Sequence, residues 1–234
     1  MKNSGAKLLA FLIGIAFVVV LLLLTRDPGD PAEESSSQPE ITVTPEATAT
    51  PAPTPTPVPT DPLDLTVSNG VTLRKFIDRT VQIAMNEPKD AVRNGATKYG
   101  ARFGTPTYAW CTEFVMWCLE QAEKELGTDF IGSAYPWADS SWGVRVWAKA
   151  REGRYFTPKD GYLPQKGDII LFDTCSGGTT DHTGLVIGTR EIAGETYILT
   201  IEGNIPTDKE KRIRTRYLSP EDPTIFCYCT PVQR

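Results

Sequence analysis

The sequence predicts an α+β domain in which helices come first and an antiparallel sheet follows. One observation is the helical spacing of apolar residues between Val71 and about Met85. A second is an apolar stretch that opens at Trp110 and Cys111, keeps a helical period and ends at Gly127. The third is the remainder of the chain, where short β-branched and aromatic segments alternate with glycine-containing turns.

Both predicted helices have one apolar face. In the first, this face carries Leu73, Phe76, Ile77, Val81 and Ala84. In the second, it carries Phe114, Val115, Trp117, Cys118 and Ala122. Glu120 and Lys124 form a favourable i,i+4 pair on the opposite side of the second helix. Each helix is therefore expected to bury one side against the rest of the domain.

A loop-rich region and four strands are predicted after these helices. The loop-rich region contains Trp137, Trp142 and Trp147. These indoles could stack on sugar rings, but core packing is the expected role of at least two of them. The strands cover about 168–172, 182–187, 197–201 and 225–228, with turns predicted at 176–178, 188–189 and 194–195.

The N-terminal 25 residues are predicted to hold a membrane anchor. Lys2 and Lys7 precede an uncharged apolar run from Leu8 to Leu24, which has the length of a short transmembrane helix. The run ends without the small residues of a cleavage site, and basic residues before it favour a cytoplasmic N-terminus. We therefore expect a cytoplasmic segment over residues 1–7 and an uncleaved signal anchor over residues 8–25. A cleaved, secreted protein is the alternative.

Residues 26–62 are predicted to form a disordered linker rich in Pro, Thr and Glu. No Lys or Arg lies between Asp27 and Asp61, and large apolar residues are few, so the segment cannot bury enough surface to fold. Alternating prolines favour an extended polyproline II conformation with a reach on the order of 100 Å. The linker would hold residues 63–234, the predicted catalytic domain, away from the membrane.

The composition of the domain excludes some classes of partner. The net charge of the chain is −5, and the acidic linker accounts for most of it, so the domain is nearly neutral. It therefore lacks the basic field that attracts nucleic acid. With a single histidine and no strong acidic cluster, the sequence also offers no metal site, and we expect no cofactor.

Cys111 and His182 are the candidate nucleophile and base. A thiol becomes a nucleophile when a neighbouring group takes its proton, and His182 is the only histidine in the chain. Cys111 stands at the predicted start of a helix, where backbone N–H groups and the positive end of the dipole favour a thiolate. Without further motifs, a cysteine at the start of an apolar helix is usually a small core residue.

Glu202 and Asn204 are the candidate residues for orienting the imidazole. Strand alternation would place both side chains on one face, where either could accept the second imidazole N–H. His182 is expected to begin its strand after a flexible loop. The predicted site therefore combines a cysteine, a histidine and an acid or amide at one edge of the sheet. Backbone N–H groups, including that of Cys111, are the expected oxyanion donors.

Five short motifs follow one another along the domain. In chain order they are Lys98-Tyr99-Gly100, Trp110-Cys111-x-x-Phe114-Val115-x-Trp117-Cys118, Pro164-x-Lys166-Gly167-Asp168-Ile169-Ile170-x-Phe172, His182-x-Gly184-x-Val186 and Ile201-Glu202-Gly203-Asn204. Together they resemble the CHAP domain, the cysteine- and histidine-dependent amidohydrolases and peptidases that cut bacterial peptidoglycan. The resemblance covers about residues 73–231 and implies a papain-like α+β fold.

The resemblance also implies roles for individual residues. Cys111 would be the nucleophile, His182 the base, Glu202 the residue that orients it and Asn204 a further member of the site. The implied protein is a membrane-anchored, extracytoplasmic hydrolase of the Gram-positive bacterial type. It would cleave an amide bond of peptidoglycan, as an endopeptidase or as an N-acetylmuramoyl-L-alanine amidase.

Three alternatives to that function are open at this stage. A non-catalytic cell-wall-binding protein with a vestigial site would keep the motifs without the reaction. A membrane-tethered assembly protein would recruit partners through its linker. An NlpC-type cysteine peptidase is disfavoured, because that class uses a second histidine and the chain has only one.

Two positions depart from the family pattern. Many relatives carry Gln or Asn just before the nucleophile, where the amide lines the oxyanion hole, and here that position is Trp110. We treat Trp110 and Tyr99 as candidate substrate-binding residues. The common His-Val-Gly is here His182-Thr183-Gly184, and by alternation Thr183 is expected to point away from the site.

The remaining cysteines have expected structural roles. Cys118 is predicted to lie in the core. Cys227 and Cys229 share one strand face, a spacing that disfavours a bridge between them, and a disulfide from one of them to Cys175 is left open. Zinc binding is disfavoured because only one histidine is present. Asp168 and the preceding glycine are expected to form a turn that enters a strand.

Overall fold

The computed structural model describes residues 61–88, 95–104, 109–206 and 211–234. The predicted cytoplasmic segment, the transmembrane anchor and all but the last two residues of the linker lie outside this part of the chain. Among the described residues, no helix is long and apolar enough to cross a membrane.

The described residues contain four α-helices. They are α1 (Leu73–Asn86), α2 (Gly95–Gly100), α3 (Cys111–Leu126) and α4 (Ser141–Lys149). The Thr72 side chain caps α1 by accepting a hydrogen bond from the backbone N–H of Lys75. Helix α3 ends at Gly127, which adopts a left-handed conformation that glycine enters without steric cost. Both long helices form where they were predicted, although α1 begins two residues later than Val71.

The predicted charge pair of α3 also forms. Lys124 Nζ lies 2.8 Å from Glu120 Oε1, as the i,i+4 spacing indicates. Glu120 is nevertheless buried, and it also pairs with Arg102 from the segment before α3. Glu120 therefore links the segment that contains Arg102 to α3, and it does not lie on a solvent-exposed face.

The prediction of a loop around the three tryptophans is wrong in part, because this region contains α4. The Ser140 side chain caps the helix by accepting from the Gly143 N–H, and its short apolar stripe is too small to stand out in the sequence. Trp137 and Trp142 are 42% and 62% exposed, so the expectation that at least two of the tryptophans pack in the core is wrong. Of the three, Trp147 packs against the core.

Six strands of the described residues form one antiparallel sheet. They are β1 (Tyr155–Phe156), β2 (Ile169–Phe172), β3 (His182–Ile192), β4 (Glu195–Pro206), β5 (Lys211–Leu218) and β6 (Ile225–Cys229). Their order across the sheet is β1-β6-β2-β3-β4-β5. All four predicted strands are present, and β1 and β5 were not predicted. The α+β class with an antiparallel sheet is confirmed.

The β3–β4 hairpin is longer than the sequence indicates. The predicted turn at 188–189 is instead a bulge, where Gly188 interrupts the register and β3 continues to Ile192. The actual turn is Ala193-Gly194, with φ values of 54° and 85°, which is the backbone of a tight two-residue hairpin. A glycine within a strand can therefore be mistaken for a turn when only the sequence is known, although it only bends the strand.

The long helices pack on one face of the sheet. The main core cluster joins residues of α1 and α3 to Leu171, Leu185 and Ile201 from the three central strands. The alternate strand residues form a second cluster on the opposite face, which includes Ile170 and Val186. This layering brings the start of α3 against β3 and β4.

Asp168 is a buried carboxyl just before β2, at the turn the sequence predicts. Its Oδ2 accepts hydrogen bonds from the Tyr162 hydroxyl at 2.6 Å and from the Gln165 backbone N–H at 2.8 Å. Burial raises the pKa of Asp168 to about 6, although these donors act in the opposite direction. Gly167 has a φ of 97° and packs against Ile77, which leaves no room for a side chain.

The raised pKa of Asp168 makes the stability of the domain depend on pH. The folded state holds this proton more tightly than the unfolded chain, so the free energy of unfolding should fall as pH rises from about 4 to about 6. Asp168→Asn should remove about 3 kcal/mol of this dependence, measured by urea unfolding at several pH values.

Asp160→Asn is the matched control for that measurement. The exposed Asp160 carboxylate accepts from the Thr157 N–H and hydroxyl, which lowers its pKa, so its contribution grows with pH instead. If Asp168→Asn and the wild type lose stability in parallel between pH 4 and 6, Asp168 is not the group responsible.

Candidate active site

Cys111 is the first residue of α3 and is only 4% exposed. Trp110 occupies the position before it and forms no side-chain cap, so the first N–H groups of the helix remain turned toward the thiol. The backbone N–H groups of Thr112 and Thr183 lower the pKa of the Cys111 thiol. The predicted placement of the cysteine at a helix N-terminus is therefore confirmed.

His182 is the first residue of β3 and follows an ordered loop, not a flexible one. Asp181 accepts from the N–H groups of Thr174 and Cys175, at 2.8 Å each. Asp173, at the other end of the loop, accepts from the N–H groups of Gly177 and Gly178. These two aspartates fix the turn that delivers His182 to the edge of the sheet.

The Cys111 thiol and the His182 imidazole each shift the pKa of the other toward the charged form. Burial alone would raise the pKa of Cys111, but the hydrogen bond and charge of His182, with the two backbone N–H groups, lower it below its ordinary value. Burial alone would likewise lower the pKa of His182, but Cys111 and Glu202 raise it to about 9. Both shifts favour a thiolate paired with an imidazolium.

Glu202 on β4 holds the other side of the imidazole. His182 Nε2 lies 2.9 Å from Glu202 Oε2, so Nδ1 is the ring nitrogen left for the thiol. The second carboxylate oxygen, Oε1, accepts from Arg216 Nε at 2.9 Å and from the Thr200 hydroxyl. Burial raises the pKa of this carboxyl, but His182 and Arg216 together hold it below its ordinary range.

Gly184 provides the space that Glu202 occupies. A methyl group on Gly184 would lie 2.8 Å from Glu202 Cγ and 3.1 Å from Ile170 Cγ2, both closer than normal contacts. Gly184 lies two residues after His182 on β3, so both residues are on the same face of the strand. The Glu202 side chain packs against Gly184 and thereby reaches the His182 ring on that face. The motif His182-x-Gly184 therefore has a steric reason.

Asn204 reaches the same region through a bulge, not through regular alternation. The register between β4 and β5 shifts between Glu202 and Ile205, and Asn204 has a φ of 61°, a left-handed conformation that asparagine tolerates better than most residues. The adjacent Gly203 packs against Trp110 and Phe114 at the start of α3. Asn204 is 7% exposed, and its Oδ1 has no hydrogen-bond partner among the described residues.

The comparison with protein families agrees with this geometry. The CHAP domain model matches residues 103–204, a span that begins before α3 and ends at Asn204. This match is consistent with a CHAP domain protein. Cys111, His182, Glu202 and Asn204 all fall within the matched span, and domains of this family are generally amidohydrolases or peptidases. No curated protein and no solved structure shows significant similarity to the chain.

Thr183 does not point away from the CHAP site, contrary to the alternation argument. Its hydroxyl lies 2.7 Å from the hydroxyl of Thr112, in a fully buried contact. Thr112 follows Cys111 and Thr183 follows His182, so this bond ties the start of α3 to the start of β3 beside both reactive groups. The alternation does turn Thr183 to the other face of β3, but that face is the one on which α3 lies.

Trp110 and Tyr99 are packing residues in this structure. Their rings stack with centroids 5.2 Å apart, and they are 3% and 1% exposed. The Tyr99 hydroxyl donates to Glu87 Oε2 at 2.6 Å, so it is already engaged away from the thiol. Because both residues are buried, the structure does not support the candidate substrate-binding role. The stack instead holds Trp110, the residue before Cys111, in place.

The other cysteines stay apart from the reaction centre. Cys118, Cys227 and Cys229 are buried free thiols, and Cys175 is an exposed free thiol. The disulfide to Cys175 that the sequence left open is not formed. Burial raises the pKa of Cys118 well above its ordinary value, which makes it a poor nucleophile and supports its predicted place in the core.

Arg216 and Thr200 are site residues that the sequence did not reveal. Arg216 lies on β5, a strand whose polar composition hid it, and outside the matched family span. Thr200 lies two residues before Glu202 on β4, so period-two alternation from Glu202 is the signal that could have identified it. Both donate to the oxygen of Glu202 that does not face His182.

The single histidine makes the electrostatics of the CHAP site directly measurable. The only imidazole signal in an NMR titration of the full chain belongs to His182 and should titrate near pH 9. Cys111→Ala and Glu202→Gln should each lower this pKa, because each removes a group that favours the imidazolium while burial, which disfavours it, remains.

Cys118→Ala serves as the control, since that thiol is buried away from the imidazole. It should leave the His182 titration in place. If Cys111→Ala leaves the histidine pKa unchanged, the thiolate–imidazolium pairing is wrong.

Proposed function

We propose that the protein is a peptidoglycan hydrolase that cleaves an amide bond through Cys111, His182 and Glu202. The observation that carries this proposal is the 2.9 Å pairing of the His182 imidazole with the buried Glu202 carboxylate, together with the pKa shifts that Cys111 and His182 cause in each other. This is the arrangement that cysteine-dependent acyl transfer requires. A CHAP domain supplies the expected substrate class.

The chemistry proceeds by two acyl transfers. The Cys111 thiolate attacks the scissile carbonyl carbon, and the carbonyl oxygen takes the negative charge. His182 then gives its Nδ1 proton to the leaving amine as the C–N bond breaks, which leaves a thioester on Cys111. Water attacks the thioester while His182 takes its proton, and the carboxylic acid product departs with the thiolate restored. Glu202 holds the ring in one tautomer throughout and offsets its positive charge.

The negative charge that develops on the carbonyl oxygen needs hydrogen-bond donors near the start of α3 to stabilise it. The N–H of Cys111 lies at the positive end of the helix dipole, as oxyanion stabilisation demands. Asn204 is the proposed side-chain donor, because it follows Gly203, which packs against Trp110 at the start of α3. Its left-handed backbone directs this side chain, and strain of that kind is common at functional sites.

Sequence features outside the described residues extend the proposal to location. The apolar run at Leu8–Leu24 and the proline-rich linker at 26–62 support a single-pass anchor with the CHAP domain outside the cytoplasm, as in a Gram-positive cell. On this view, the linker confines cleavage to wall within its reach. The bond cut is either in the peptide part of the wall or between sugar and peptide.

Replacing the nucleophile tests the proposed reaction. The full chain incubated with purified peptidoglycan should release soluble fragments, and Cys111→Ala should reduce the release by at least about 10³-fold, since no other group can form the acyl-enzyme. Mass spectrometry of the fragments would name the bond that is cut.

Cys175→Ala is the matched control, because it removes an exposed thiol outside the site. Its product release should equal that of the wild type. Equal release by the wild type and Cys111→Ala would exclude the proposed mechanism, and no release by either would favour a wall-binding or assembly role with a vestigial site.

Arg216→Gln tests the support of Glu202. Loss of the guanidinium raises the pKa of the Glu202 carboxyl and removes a donor that fixes its orientation, so kcat/KM should fall about tenfold. The rate of product release measures this effect.

Arg214→Gln is the control on the same strand. Arg214 is exposed and makes no ion pair with a described residue, yet its replacement removes the same charge. If both variants reduce kcat/KM equally, the effect comes from the overall charge of β5 and not from the contact with Glu202.

A further inference from the structure

A concave site lies at the same end of the sheet as His182. It is a cavity of about 540 Å³, which is within the size range of small-ligand sites. Helix α4, strand β1, the turn before β6 and the short 3₁₀ turn at Pro158–Asp160 surround it. We refer to it as the α4–β6 cleft.

The register of the sheet places this cleft near His182. Phe172 of β2 is paired with His182 on one side and with Ile225 on the other, and Ile225 lines the cleft. Two strand spacings amount to about 10 Å. Helix α4 is also fixed to the loop before the base, because the buried Ser141 hydroxyl donates to the Thr180 carbonyl at 2.8 Å. An extended peptide covers this distance with about three residues.

The cleft combines an apolar floor with cations held in place by aromatic rings. Tyr155 and Phe226 belong to its lining. The Arg145 guanidinium lies 4.5 Å from the Phe226 ring centroid, and Lys149 Nζ lies 4.8 Å from that of Tyr155. Neither cation, nor the neighbouring Lys159, forms an ion pair with another described residue. The positive groups are thus positioned without being neutralised.

The opposite wall carries charge of the other sign. Glu221 lines the cleft at the turn before β6 and likewise has no ion-pair partner among the described residues. Asp222 beside it is already used, since its Oδ1 accepts from the Thr224 N–H and hydroxyl. A ligand that fits must therefore present a carboxylate to α4, apolar surface to the floor and an N–H or amino group to Glu221.

We propose that the α4–β6 cleft is a substrate subsite that binds a carboxylate-bearing peptide segment of the cell wall, about three residues from the bond that Cys111 attacks. This inference rests on the proposed function for the identity of the polymer. The chemistry of the cleft selects peptide over glycan, because a neutral sugar offers no charge to Arg145 and Lys149. The subsite would set which peptide ends the enzyme accepts.

The test measures binding separately from cleavage. The full chain carrying Cys111→Ala is titrated calorimetrically with a wall-type tetrapeptide that has a free C-terminal carboxylate, and with the same peptide as its C-terminal amide. The acid should bind at least about tenfold more tightly, as expected for one charge-assisted contact. Adding Arg145→Gln and Lys149→Gln should abolish the preference.

Lys75→Gln is the matched control, since it removes an exposed positive charge from α1 and should preserve the preference. Equal binding of both peptides to Cys111→Ala, or a preference that survives the loss of Arg145 and Lys149, would overturn the subsite. A catalytically inactive wild type with the binding preference intact would contradict the proposed reaction while supporting the subsite.

Discussion

The burial of the Glu202 charge is the constraint on which the rest of the site depends. A carboxylate with no exposed surface is costly unless every oxygen is paired, and here three donors meet that demand. Thr200 and Arg216 occupy one oxygen, so the other is left for His182. The pairing thus decides which ring nitrogen faces the thiol. Gly184 is needed for the same reason, since a larger residue would push the carboxylate out of place.

Cys111 is held by a different set of contacts. Helix α3 and strand β3 come from distant parts of the sequence, and the buried Thr112–Thr183 hydroxyl pair joins them one residue away from each reactive group. On the other side, Gly203 packs against Trp110 and Phe114, so β4 also presses on the start of α3. Cys111 is therefore fixed by two strands, and both of those strands carry residues of the proposed mechanism. Movement of the thiol relative to the base would break packing as well as hydrogen bonds.

Much of this arrangement could be predicted because local patterns encode it. The helical period and Gly127 define α3, and the single histidine leaves no choice of base. Other features arise only from tertiary contact. Gly188 resembles a turn residue, yet the pairing of β3 with β4 continues through it as a bulge. Thr183 obeys strand alternation, but the sequence does not tell that the opposite face is covered by the nucleophile's own helix.

Arg216 and Asn204 show the same limit at the site itself. Arg216 stands among basic residues of a strand that looks solvated, and only the fold brings it beside a buried acid. The left-handed backbone of Asn204 follows from a register shift that no local signal announces. The tryptophans reverse the usual expectation, because two large apolar side chains remain exposed while Trp147 alone of the three packs against the core. Composition predicts burial on average and says little about single positions.

The position of β5 has a consequence for how the proposed activity would be lost on heating. Within the described part of the chain, β5 is an outer strand and pairs only with β4. Outer strands open locally at a lower free energy than the strands between them. Arg216, the counter-ion of Glu202, lies on this strand. Fraying of β5 would therefore break the Arg216–Glu202 ion pair while the central strands and α3 stay folded. Thermal inactivation would then precede global unfolding, with the thiol and imidazole still in contact.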